Sequence, residues 1–152
     1  ISAVIGGVVA LGGSLMVAKY QLGAEERRTI EQQRVLIWMD TAGNFNSYIS
    51  NWNRLIVIAE HEEKQGRLNK REEERKERYV AERDKPKDAL YGTLEKAKLF
   101  FGKEVHEQIE QFTAWEKEKV HRKRLNELPP ITAWEERKDA ILGSMTKELK
   151  QP

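Results

Sequence analysis

The first eighteen residues, Ile1 to Ala18, carry no charged side chain, and all 27 Lys and Arg and all 25 Asp and Glu come after them. A chain divided so sharply is expected to use two solvents. A bilayer core takes a helix of roughly 20 apolar residues, with a range of about 17 to 25. Ile1–Ala18 reaches the short end of that range, and Tyr20 and Leu22 extend it into the interface. The expectation is therefore a transmembrane helix over 1–22 and a helical domain over 23–152 hung from it. The chain does not begin with Met, and residues upstream would lengthen the span. Two other readings compete. Met16-Val17-Ala18 resembles the run before a signal-peptide cleavage site. A buried core helix is the other, but Gly6, Gly7, Gly12 and Gly13 make a poor soluble helix.

Ser2, Gly6, Ala10, Ser14 and Ala18 recur at every fourth position and form one stripe of small residues. Helices in lipid associate by close backbone approach, which small residues permit. The stripe is read as a span packing face, for other transmembrane subunits or for copies of the same chain. Gly and Ala are also common in spans, so a match of this kind can arise without such a role. Lys19, Arg27, Arg28 and Arg34 follow the span. The positive-inside rule then places the domain in the cytoplasm and the N-terminus outside an inner or plasma membrane. The lack of cysteine agrees with a reducing compartment.

Beyond the span, charged residues dominate. They make up 34% of the chain, against roughly 25% in ordinary globular domains. Their signs alternate, as on solvated helices laced with i,i+4 pairs. A net charge of +2 is too small to argue by itself for nucleic acid. No β-type alternation appears, so the domain is predicted to be all-α.

Residues 23–65 predict one long helix, with Ile30, Ile37, Thr41, Phe45, Tyr48, Trp52, Leu55, Ile56 and Ala59 as its apolar stripe. Asp40-Thr41-Ala42-Gly43-Asn44 is its expected weak point, where a kink or break would fall. Asn51, beside the stripe, is expected to be partly exposed. Residues 60–85 are nearly all charge and predict a hairpin tip turning at Gly66. Pro86 opens or kinks the returning helix, which ends at Gly102 after the stripe Leu90, Leu94, Ala97 and Phe101. A third helix is predicted from Lys103 to Asn126 with Val105, Ile109, Phe112, then Trp115 or Glu116, then Val120 inside. Leu128-Pro129-Pro130 is a turn. Thr132-Ala133-Trp134-Glu135 reads as a capping box opening a last helix to Lys150. Short connections imply antiparallel neighbours, hence an up-down bundle of about four helices.

Few residues suggest chemistry. Of the three histidines, His61, His106 and His121, only the last completes a Glu-x-x-His unit, Glu118-x-x-His121. A di-iron bundle needs two such units and two further glutamates. No metal site, cofactor or catalytic set is expected, and the chain is not expected to be an enzyme. The most basic local patch is Lys117, Lys119, Arg122, Lys123 and Arg124, interrupted only by acidic Glu118. It would lie too far from the bilayer for lipid phosphates, given a Debye length of about 8 Å. It could meet an acidic partner, a nucleotide or a nucleic acid, with Trp115 positioned to stack on a base. The simpler reading is a solvated helix end that carries cations against the helix dipole, and nucleic acid is not the expected partner.

Leu99-Phe100-Phe101-Gly102-Lys103-Glu104-Val105, then Ile109 and Phe112, and the ending Trp134, Ile141-Leu142, Met145 and Glu148-Leu149 resemble a loose group of uncharacterised bacterial proteins. These have one N-terminal span followed by a cytosolic helical bundle. The likeness covers about Leu90 to Leu149 and implies the fold, not an activity. The expected function is that of a membrane-anchored interaction or scaffold protein, an accessory subunit of a larger membrane assembly touching lipid and other spans. The alternative is a self-oligomerising effector that perturbs the bilayer under control of its bundle.

Overall fold

Apolar residues at steps of three and four select the helices, and burial of those stripes against one another fixes their arrangement. The computed structural model describes the backbone of residues 2–151 and the side chains of residues 19–151. It assigns α1 to Ser2–Gln65, α2 to Lys70–Ala81, α3 to Asp84–Phe100, α4 to Lys103–Lys119 and α5 to Thr132–Leu149, with a 3-10 turn at Leu125–Glu127. No strand occurs among the described residues. The chain divides into two compact units, residues 1–33 and 34–152. The span packing face Ser2, Gly6, Ala10, Ser14 and Ala18 lies outside the residues whose side chains are described. Among the described residues, no helix is long and apolar enough to cross a membrane.

In the second unit, Ile37, Phe45, Tyr48, Trp52, Leu55 and Ala59 are buried along α1. They meet Leu90, Leu94 and Ala97 of α3, Val105, Ile109 and Phe112 of α4, and Trp134, Ile141 and Met145 of α5. Cross-links fix the directions. Arg34 Nε donates to the Phe100 carbonyl at 2.6 Å, while Asn44 donates to Thr93 Oγ1 at 2.5 Å, so α3 runs back along α1. Phe45 meets Phe112 edge-on at 5.2 Å and Tyr48 reaches Glu116, so α4 runs parallel to α1. Trp38 Nε1 donates to Thr146 Oγ1 at 3.1 Å, while Trp52 stacks on Trp134 at 5.8 Å, so α5 returns. The result is the expected up-down bundle of α1, α3, α4 and α5. Each fully buried aliphatic or aromatic side chain contributes about 1.5–3 kcal/mol. An exposed ion pair contributes at most about 1 kcal/mol. The apolar stripes therefore hold the bundle together despite the charge content.

Several local expectations need correction. The helix does not break at 40–44. The Thr41 hydroxyl donates to the Ile37 carbonyl within the helix, and Asn44 spends its amide on Thr93 and Ala89 of α3. The polar residues thus bond along the helix and across to its neighbour. Asn51 is buried at 7% exposure, not partly exposed. α4 ends at Lys119, not Asn126. After Val120 the stripe would need an apolar residue at 123 or 124, and the chain supplies Lys123-Arg124. The capping box at Thr132 does not form. Instead the Pro130 and Ile131 carbonyls accept the N–H groups of Ala133 and Trp134 at 2.9 and 3.0 Å, so the double-proline turn itself feeds the helix.

The charged segment 60–85 contains a second short helix. Gly66 turns the chain at φ 73°, a conformation that a residue without Cβ adopts freely. Asn69 and Glu72 form a reciprocal capping box at the start of α2. Lys76 pairs with Glu62, His61 bonds Glu72, and Arg54 covers the Tyr79 ring at 5.5 Å, tying α2 to the end of α1.

Candidate functional site

The stripe of α4 continues from Phe112 to Glu116, not Trp115. Glu116 is 3% exposed. Tyr48 donates to its Oε1 at 2.8 Å and Tyr91 to its Oε2 at 2.7 Å. Lys87 brings its ammonium within 3.4 Å of Oε1. A buried carboxylate is costly unless paired and hydrogen-bonded. Here two neighbouring helices bring three groups to it: α1 gives Tyr48, and α3 gives both Lys87 and Tyr91. Trp115 is half-buried and closed on its own side, with the Arg137 guanidinium 3.9 Å from its ring centre and Trp134 edge-on at 5.2 Å.

Burial, followed by the Glu116 charge and hydrogen bond, pushes both the Tyr48 and Tyr91 hydroxyls well above the ordinary 10.0 of a phenol. For Tyr48 the Trp52 indole opposes this in part. That indole N–H lies near the phenol but makes no hydrogen bond of acceptable geometry, and it is buried without a partner. Because the folded pKa is raised, the folded state holds these protons more tightly than the unfolded chain. Their stabilisation is complete below pH about 10 and is lost as pH rises beyond it. Thermal melts are accordingly expected to fall steeply above that pH. The paired substitution Tyr48→Phe with Tyr91→Phe should flatten the decline; an unchanged slope would refute the assignment.

Glu116 forms part of the wall of an 810 Å³ groove open to solvent, within the size range of small-molecule sites. Trp52, Leu55, Ala59 and Val120 supply its apolar surface. Arg122, Lys123 and Arg124 line it from the loop after α4, and Arg83 and Lys87 line it from the α2–α3 side. The expected basic patch is therefore divided. Arg122, Lys123 and Arg124 face this groove, whereas Lys117 and Lys119 on α4 do not line it. The early end of α4 makes this possible. Val120 and His121 N–H both reach the Glu116 carbonyl at 2.9 Å, and Arg122 takes φ 60° to turn the chain. Local spacing alone puts the whole run on one helix; the division arises because α4 stops at Lys119. Glu116 itself was visible as the next step of the series 105, 109, 112, 116, 120.

Glu118 pairs with Lys119, and His121 lies beyond the end of α4, so the lone Glu-x-x-His unit does not share a helical face. Among the described residues no three His, Asp or Glu side chains are grouped to hold a metal ion. Compared with protein-family models, curated proteins and solved structures, the chain matches none.

Proposed function

We propose that this chain is a membrane-tethered helical adaptor, in which the apolar N-terminal stretch anchors the molecule and the bundle of residues 34–152 meets other proteins on the cytoplasmic side. The supporting observation is the distribution of charge: none among the first eighteen residues and every Lys, Arg, Asp and Glu beyond them. The bundle adds a surface suited to contact. Val35, Leu36, Met39 and Val57 of α1 and Leu99 of α3 remain exposed although the core is closed without them. The small-residue stripe favours a second reading, in which copies associate through their spans and act on the bilayer.

One experiment separates these readings. The full chain, expressed with its N-terminus intact, should stay with the membrane pellet through alkaline carbonate washing and require detergent for release. Recovery in the wash would refute the anchor. On native electrophoresis after mild extraction, co-migration with unrelated subunits supports the adaptor. A homo-oligomer dispersed by Gly6→Leu or Ala10→Leu supports the effector.

A further inference from the structure

We propose that the groove beside Glu116 is a binding site for a small phosphorylated molecule that carries an apolar or aromatic body. The cationic wall is the first reason. Among the described residues, the side chains of Arg122, Lys123 and Arg124 form no ion pair, and Glu127 accepts only the Arg124 backbone N–H, at 3.0 Å, whereas other groove cations do find partners. Lys76 is matched by Glu62, Arg83 by Asp84, and Lys87 by Glu116. Even the buried carboxylate in the wall is thus offset, by an ammonium and two phenol hydroxyls. Glu63 also lines the groove without an ion-pair partner, so the unmatched charge among the described residues is three consecutive cations against one carboxylate, and two of those cations are guanidinium forks that suit phosphate oxygens.

Backbone geometry is the second reason. Arg122 is the only non-glycine residue with positive φ among the described residues. Left-handed backbone disfavours a long side chain, and such positions often mark functional sites. Glycine would suit the conformation better, yet the chain keeps a guanidinium there. The floor is the third. Val80, 42% exposed, lines the groove together with Trp52, Leu55 and Val120, and phosphate alone would leave it facing water, so the ligand should bring an apolar portion to cover it.

The same chemistry has two sources, a soluble nucleotide and an anionic lipid. Calorimetric titration of the full chain in non-ionic detergent should use inorganic pyrophosphate, ADP and dioctanoyl phosphatidic acid. One of the two organic phosphates should bind with unit stoichiometry and more tightly than pyrophosphate. ADP alone would identify a nucleotide site, and phosphatidic acid alone a lipid site. Arg122→Gly relieves the backbone and should leave the melting temperature unchanged or raised, while weakening binding about tenfold, as for one lost charged hydrogen bond. Arg122→Glu with Arg124→Glu should abolish it, and Lys103→Glu, outside the groove, should not. The proposal is overturned if neither organic phosphate binds, if pyrophosphate binds as well as both, or if the groove variants bind like the unaltered chain.

Discussion

Replacing Trp134 with alanine should destabilise the bundle by about 3–5 kcal/mol, the range for removing a fully buried aromatic side chain. Trp134 has no exposed surface, stacks on Trp52 at 5.8 Å and meets Trp115 at 5.2 Å. It joins α5 to α1 and α4 at once. Its indole N–H has no partner, so the substitution also removes a buried unsatisfied donor. That offsets part of the loss and places the outcome toward the lower figure. For a domain of this size the melting temperature should fall by about 10–20 °C. Trp134→Phe keeps most of the volume and discards the orphan donor, so it should cost less than half as much. Equal losses for the two variants in thermal melts would show that the packing account is wrong.

The second large effect belongs to Glu116. Glu116→Ala leaves the Tyr48 hydroxyl, on a residue 1% exposed, and the half-buried Tyr91 hydroxyl without their acceptor. Each orphaned group costs about 1–3 kcal/mol according to its burial, so the loss should be about 2–4 kcal/mol. Lys87→Ala should cost much less, because Lys87 is 37% exposed and solvent replaces it. The triple variant Glu116→Leu, Tyr48→Phe, Tyr91→Phe removes the polar cluster as a unit. It should recover most of the stability lost by the single change, since apolar replacements of matched shape can equal a buried charged network. Urea unfolding of the four proteins decides the point. A triple variant weaker than Glu116→Ala would mean that the side chains pack around the charge in a way no apolar set can reproduce.

These two residues show how unevenly sequence carries structural information. Trp134 was legible: it opens an apolar series at helical spacing with Ile141, Leu142 and Met145, and such spacing has few other uses. Glu116 occupied an equally regular position, but a carboxylate on an apolar stripe is normally discounted. Only the arrival of Tyr48 and Tyr91 from helices 68 and 25 residues away in sequence makes its burial tolerable. The Thr132 capping box failed for a related reason. Its residues were right, yet the Ile131 carbonyl already accepts, at 3.2 Å, the Glu135 N–H that the Thr132 hydroxyl would have taken.

The amino-acid sequence alone determined the all-α class, the order of the bundle helices and most core positions, because apolar periodicity and the turns at Gly66, Gly102 and Pro129-Pro130 are local properties. It also separated an uncharged beginning from a charged remainder. Tertiary structure decided the rest: that α4 stops at Lys119, that Arg122, Lys123 and Arg124 turn into a groove, and that a buried carboxylate gathers two phenols and an ammonium beside it. Those outcomes depend on groups distant along the chain meeting in space, and no local pattern records which of them will meet.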